Sequence, residues 1–101
     1  MAVGDIVGDL QSIALNAFLV FQPAAGVKVL IMAYGSASVT SGEPRIETGI
    51  TDGTNTVIMS TNSSILSNRV PAKIPVDNTI RLSIKNTGTA THFIGFSGIQ
   101  I

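Results

Sequence analysis

The stretch that decides the fold is residues 18–34, FLVFQPAAGVKVLIMAY, an almost wholly apolar run in which Lys28 is the only charge. A membrane-spanning helix needs roughly 20 consecutive apolar residues. This run is shorter, and Pro23 and Gly26 divide it near the middle. Proline presets one turn position and glycine permits another, so the sequence predicts a strand, a turn and a second strand that form a hairpin.

Apolar residues alternate on both sides of this turn with the period of two that is typical of strands. In the predicted strand before the turn, the odd-numbered residues of 12–21 form one apolar face. In the predicted strand after the turn, the odd-numbered residues of 27–34 likewise form one apolar face. The opposite face is apolar as well, although a half-solvated antiparallel strand normally has a polar one. Either loops of the same chain cover it, or it packs against another subunit. The predicted subunit-interface residues are Phe18, Val20, Leu30, Met32 and Tyr34.

Turn signals divide the rest of the chain into further short strands. Asp52-Gly53 between two alternating runs predicts a hairpin. Residues 79–85, TIRLSIK, alternate cleanly, and the turn at 86–89 predicts a second hairpin with the last strand at 90–101. Pro71 and Pro75 exclude a helix and a central strand from residues 65–76, so we expect an edge segment or a crossing loop there.

The pattern as a whole predicts an all-β protein. Roughly seven or eight short strands separated by turns are typical of a single antiparallel β-sandwich, jelly-roll-like, which we assign to residues 11–101. Residues 1–10 carry the short repeat VGDI–VGDL and are expected to form an N-terminal arm, either unanchored or docked on a neighbouring molecule. The candidate docking residues of this arm are Val3, Asp5, Ile6, Val7, Asp9 and Leu10.

The charge content limits the possible partners. Only 12% of the residues are charged, about half the usual ~25%, and six basic residues balance six acidic ones. A neutral surface neither steers nucleic acid nor favours anionic membranes, so we expect neither partner. Such a surface also resists self-association poorly. We therefore expect copies of the chain, or another protein, to cover much of it.

No motif for catalysis stands out in the sequence. His92 is the only histidine, cysteine is absent, and no acidic residues are spaced to complete a zinc site around His92. A nucleophile elbow of the form GxSxG does not occur. We therefore expect no enzyme activity, cofactor or metal. Tyr34, Phe93 and Phe96 are the candidate rings for a sugar-binding platform, although core packing is the more ordinary role for such residues.

Two parts of the chain resemble one known group of proteins. FQPAAGVKVLIMAYGS (21–36) resembles the early hairpin of small β-sandwich proteins carried on tailed-phage virions. TDGTN (51–55) and NTGTATHFIGFSGIQI (86–101) are similar to their mid-chain hairpin and closing strand. The resemblance implies a capsid decoration, or cement, protein that binds the major capsid protein at the virion surface as a homo-oligomer, with a trimer suited to local threefold axes. The alternative is a tail-associated module that binds a receptor or glycan.

Overall fold

Eight β-strands form the regular structure of the computed structural model, which describes residues 2–38, 44–63 and 67–101. In chain order the strands are β1 (Ile6–Ile13), β2 (Phe18–Phe21), β3 (Val29–Ser38), β4 (Arg45–Thr51), β5 (Thr56–Ser63), β6 (Ser67–Val76), β7 (Arg81–Asn86) and β8 (His92–Gln100).

The strands form two four-stranded sheets. Sheet A has the order β1-β8-β3-β6 and sheet B the order β2-β7-β4-β5, and every pair within them is antiparallel. Six of the seven connections cross from one sheet to the other, and only β4–β5 is a hairpin within a sheet. Eight strands in two packed sheets with this order form a jelly roll. The predicted fold class is therefore confirmed.

The core lies between the sheets. Inward-facing side chains such as Ile31, Ile46 and Ile94 are fully buried. The rings of Phe21 on β2 and Phe96 on β8 contact each other across the sandwich, with centroids 4.8 Å apart. The hydroxyls of Tyr34 on β3 and Ser60 on β5 form a second link between the sheets. Apolar burial on one face of each sheet thus stabilises the sandwich.

The predicted first hairpin is wrong in its pairing. The strands on either side of Pro23 and Gly26 exist, but β2 pairs with β7 in sheet B, whereas β3 pairs with β6 and β8 in sheet A. The predicted strand over 12–21 is also interrupted, because Asn16 takes a left-handed conformation with φ of 64°. Asparagine tolerates this conformation better than most residues, and the chain changes sheets there.

The predicted hairpin at 86–89 is wrong for the same reason. β7 lies in sheet B and β8 in sheet A, so the intervening turn crosses between the sheets. Fully buried Asn86 holds this crossing. Its side-chain amide donates to the carbonyls of Ile13, at 2.8 Å, and Ala90, at 2.9 Å, and its oxygen accepts from the amide of Gly88.

The Asp52-Gly53 hairpin is confirmed. It joins β4 to β5, and Gly53 has a φ of 96°, which glycine adopts without strain. β6 carries Pro71 and Pro75 and is an edge strand of sheet A, as the two prolines predict. The sequence also predicts a short strand near Val39, a position that lies outside the described residues.

The N-terminal ten residues are more structured than an arm. β1 begins at Ile6, and residues 6–10 pair with β8 across the whole register. The amide of Gly4 also donates to the carbonyl of Gln100 at 2.7 Å. The sandwich therefore includes Ile6 onward, and residues 2–5 precede it. Within the described parts of the chain, no helix is long and apolar enough to cross a membrane.

Candidate interaction surface

The outward side of sheet A is apolar over three of its four strands, β1, β8 and β3, and we name this part face A. The fourth strand, β6, forms a basic border beside it, where Lys73 is exposed and the backbone of Arg69 is paired with Gly35. Residues paired across antiparallel strands point to the same side of a sheet, so the register assigns its members. On β1, β8 and β3 they are Ile6, Gly8, Leu10, Ser12, Phe93, Gly95, Ser97, Ile99, Leu30, Met32, Ala33, Gly35 and Ala37. Among these described positions the only polar side chains are two serines.

Several large side chains on face A are open to solvent. Ile6 is 86% exposed and Leu10 69% exposed, and Phe93 and Met32 are about 40% exposed. Ile99 is exposed to a similar extent. An apolar surface that extends over three neighbouring strands is unlike the scattered exposed apolar residues of an ordinary monomer, and surfaces of this kind are typical of interaction sites.

A groove runs across the middle of face A. Leu10 and Phe93 line it, and Gly35 and Gly95, which are paired on β3 and β8, lie beneath it. Its volume is about 360 Å³. A Cβ at position 95 would lie 3.0 Å from the carbonyl oxygen of Asp9, so glycine keeps β1 and β8 close and leaves the groove open. The groove can take an apolar side chain from another molecule.

The free edges of both sheets carry features that oppose strand pairing between molecules. In β6 two prolines each remove a backbone donor. On β1 the carboxylate of Asp9 accepts a hydrogen bond from the amide of Leu10 at 2.8 Å and places a charge on the edge. β2 has only four residues. In β5, Met59 is an extra residue opposite β4, and such a bulge bends the edge. Association through faces is therefore favoured over association through edges.

The bulge in β5 also exposes a second apolar cluster. Val57, Ile58 and Met59 are consecutive and all exposed, whereas regular alternation would place every other side chain inward. Gly49 on β4 permits this geometry, because a Cβ there would overlap the carbonyl oxygen of Val57. We name these three residues the β5 patch. The patch lies on sheet B, at the strand farthest from β2 in the sheet order.

The five predicted interface residues do not come together. Phe18 and Val20 are exposed on the outer side of sheet B, whereas Leu30 and Met32 belong to face A. Tyr34 is buried in the core, because Met32 is an extra residue in β3 that reverses the alternation after it. That the first four contact another subunit stays a prediction.

Sequence reasoning missed the contribution of β1 and β8 to the surface. In FIGFSGIQ the outward positions are Phe93, Gly95, Ser97 and Ile99, which alternate with buried residues. The signal was present, because a closing strand without charge and with glycine on its outward side cannot supply an ordinary solvated face. The spacing alone did not reveal that β1 would extend this surface.

The predicted arm residues lie in different environments. Val3, Ile6 and Leu10 are highly exposed, whereas Val7 packs against the core from β1. The carboxylate of Asp5 accepts a hydrogen bond from the amide of Ala2 at 2.7 Å, and Asp9 contacts Leu10 as described above. Docking of these residues on a capsid is not tested by their positions and stays a prediction.

Two aspartates act within turns. Backbone amides of Asn55 and then Thr54 donate to Asp52 and lower the pKa of its carboxyl below its usual 3.8. Backbone amides of Ile80 and Thr79 donate to Asp77 and lower the pKa of its carboxyl, and the charge of Lys28 is a smaller cause in the same direction. Both carboxylates therefore stabilise turns, and neither lies on face A.

Most of the side chains considered as candidates for catalysis, metal binding or sugar binding are buried. His92 is fully buried, and neither ring nitrogen has a hydrogen-bond partner within the described residues. Tyr34 and Phe96 are buried, so of the three candidate rings only Phe93 is exposed. Over residues 2–38, 44–63 and 67–101, no group of three or more His, Asp or Glu side chains could hold a metal ion.

Comparisons with known proteins support the fold alone. No protein-family model matches the sequence, and no curated protein matches it. Among solved structures, the chain is similar to a Drosophila protein described as "The crystal structure of Drosophila NLP-core provides insight into pentamer formation and histone binding". The TM-score is 0.52 at 9% identity, and the match covers 92% of this chain and 97% of the other. At this identity the likeness shows a shared β-sandwich fold.

Proposed function

We propose that the chain is a non-enzymatic structural protein that associates with copies of itself and decorates the surface of a phage capsid. The observation that carries this proposal is face A, an uncharged apolar surface over three strands of a single sheet. Water-exposed apolar surface of this extent favours association, because covering it removes apolar area from water.

The size of sheet A is sufficient for a specific contact. Face A together with its basic border, β6, spans four strands about 4.8 Å apart and about eight residues long at about 3.3 Å per residue, which cover about 500 Å². If each copy contributes a surface of this size, a pair buries about 1,000 Å², the lower limit for a specific interface. The protected edges of both sheets leave the faces as the means of association.

The assignment to a virion depends on the resemblance of residues 21–36, 51–55 and 86–101 to small sandwich proteins of tailed phages. Under this proposal the partners are the major capsid protein and two further copies of the chain, in a trimer at the capsid surface. Pentamer formation by the Drosophila NLP-core, which shares this sandwich fold, supports self-association in general. Its histone binding does not transfer to this chain, because six acidic residues balanced by six basic ones provide no acidic excess for a basic partner.

The exposed N-terminal residues are the proposed capsid contact. Val3 and Ile6 project from sheet A at its β1 edge, where Val3 is 77% exposed. Burying such side chains against a capsid subunit would contribute about 1.5–3 kcal/mol each. Ile6 lies at the β1 edge of face A, whereas Val3 precedes β1 and lies outside face A, so Val3 variants measure capsid binding separately from self-association.

Co-sedimentation with capsids tests the proposal. Purified protein is mixed with capsids of the tailed phage whose genome carries the sequence, and bound protein is quantified across a concentration series. We expect saturable binding that Val3→Asp weakens at least about tenfold and that Leu15→Asp, a matched change in an exposed turn, leaves intact. A wild-type chain that stays monomeric and does not sediment with capsids would contradict the proposal.

The alternative, a receptor- or glycan-binding module, has support only from Phe93, whose exposed ring borders the groove. A glycan array with wild type and Phe93→Ala measures it. Specific binding that the substitution removes would favour this alternative. Binding to no glycan, with association and capsid binding intact, would exclude the glycan form.

A further inference from the structure

We propose that neighbouring copies associate head to tail, with the β5 patch of one copy packed into the face A groove of the next. This inference rests on the proposed self-association and specifies which surfaces meet. It follows from two apolar surfaces on the same chain that differ in shape and lie on different sheets.

The two surfaces are complementary in shape. The groove is a hollow of about 360 Å³ between Leu10 and Phe93. The β5 patch projects from the edge of sheet B, with Val57 61% exposed and Met59 54% exposed. Methionine is flexible and fills irregular apolar hollows well. Met59 is therefore suited to enter the groove, with Val57 and Ile58 beside it.

The groove and the patch also match in being mostly uncharged. Among the residues that line the groove, Asp9 at the β1 edge is the only charged one, so most of the lining favours an uncharged partner surface. The exposed residues Thr56 and Thr61 flank the patch in the chain and carry uncharged hydroxyl groups. A central apolar cluster with a polar rim is the usual composition of a protein interface.

Packing two grooves against each other would fill the space poorly. Two hollows facing one another would leave a void, and interfaces are packed nearly as densely as protein interiors. A projecting patch avoids this void. Because the groove is on the outer side of sheet A and the patch is on sheet B, the contact joins different copies.

Head-to-tail contacts have a defined consequence for assembly. Each contact uses one groove and one patch, which leaves a free groove on one copy and a free patch on the other. Such contacts form a ring when the rotation between copies closes, and an open chain when it does not. The small oligomer proposed for the virion corresponds to the closed form.

Mixing two defective variants tests this arrangement. Met59→Lys damages the patch and leaves the groove intact, whereas Ser97→Arg places a large charged side chain in the groove and leaves the patch intact. We expect each variant alone to associate at least about tenfold more weakly than wild type. An equimolar mixture should recover a heterodimer, since one intact groove and one intact patch remain. Sedimentation velocity and native mass spectrometry measure the masses.

Controls keep a folding defect apart from an interface defect. Leu15→Lys adds the same charge as Met59→Lys at an exposed turn residue and should assemble like wild type. Ile58→Lys and Leu10→Lys provide a second patch variant and a second groove variant. All of them are first checked for wild-type circular dichroism and thermal unfolding.

The outcomes separate this inference from the proposed function. A wild-type oligomer that Met59→Lys and Ile58→Lys leave unchanged would overturn the head-to-tail contact and retain self-association. Folded variants that fail to form a heterodimer when mixed would also overturn it. A wild-type chain that is monomeric at every concentration and does not bind capsids would overturn both.

Discussion

The outer faces of the two sheets share one jelly-roll frame and differ in charge. Face A has only two serines as polar side chains among its described members. On the outer side of sheet B, Glu47 and Lys85 are directly opposite each other on β4 and β7. The ammonium of Lys85 also lies 5.5 Å from the centre of the Phe18 ring, so that apolar side chain has a cationic neighbour.

This difference shows which face is adapted to water. On sheet B, charged side chains accompany exposed apolar ones such as Phe18 and Val20, as in an ordinary solvated antiparallel sheet. On face A the glycines and alanines flatten the centre, and the charged residues of sheet A lie at the β6 border, where Lys73 is exposed and Arg69 is paired with Gly35. Exposed apolar area alone therefore does not identify the surface; its extent over three neighbouring strands without a charged side chain among them does.

The largest effect is expected from the close approach of β8 and β3 at the centre of sheet A. A Cβ at position 98 would overlap the carbonyl oxygen of Leu30, between two central strands, so Gly98→Ala should destabilise the fold by about 3 kcal/mol. Gly49→Ala should destabilise the fold less, because the added Cβ would clash with edge strand β5, which can move. Urea denaturation measures both, with Ser97→Ala as a control near zero. A larger effect at Gly49 would contradict this ranking.

The second-largest effect is expected on self-association, when one residue on the outer face of each sheet is replaced by lysine. Met32 is 40% exposed on face A and Val20 is 50% exposed on sheet B, so lysine at either position should leave the fold intact. Met32→Lys should weaken self-association at least about tenfold, and Val20→Lys should change it little. Analytical ultracentrifugation over a dilution series measures this. If both variants weakened self-association equally, Val20 would also belong to the interface. If Met32→Lys unfolded the protein, Met32 would belong to the core.

A smaller effect is expected from the charge on sheet B. Lys85→Met keeps the length of the side chain and removes its attraction to the Phe18 ring, so it should lower stability by about 0.5 kcal/mol. Denaturation in low and high salt measures the change, which should shrink as salt screens the charges. Phe18→Leu serves as the partner variant. If Lys85→Met lowered stability equally in low and high salt, the effect would come from side-chain packing rather than from charge.

The smallest effect is a pH dependence that belongs to the turns rather than to either face. The folded-state pKa values of Asp52 and Asp77 lie below the usual 3.8, so their charged forms stabilise the fold above that pH. This contribution is lost as pH falls through the lower folded-state values. Asp52→Asn and Asp77→Asn should reduce stability at neutral pH and converge with wild type in acid. Urea titrations from pH 7 to about pH 2 test this, and parallel curves would contradict it.

The sequence predicted the positions of the strands more accurately than it predicted which strands pair with each other. Alternation identified most of β7 and β8, and Asp52-Gly53 identified the β4–β5 hairpin because its turn chemistry is local. The same kind of signal at 86–89 gave the wrong pairing. A turn shows that the chain reverses, and only long-range packing decides whether it reverses within a sheet or between sheets.

The candidate surface was predictable only in part. Leu30 and Met32 were correctly placed on an outward side, whereas Tyr34 was misplaced because the extra residue in β3 shifts every side chain after it. A bulge depends on how neighbouring strands pair, and the alternation within one segment does not record it. Phe93 and Leu10 join the surface through the β1–β8 pairing, which links opposite ends of the chain.

That long-range pairing also determines when the surface can exist during synthesis. β8 is the middle strand of face A and the last of the eight to be made, so a nascent chain without it has neither the groove nor a partner for β1. Folds dominated by distant pairings acquire structure slowly, typically over milliseconds to seconds. Copies growing on neighbouring ribosomes therefore cannot join through face A before each chain has folded to completion.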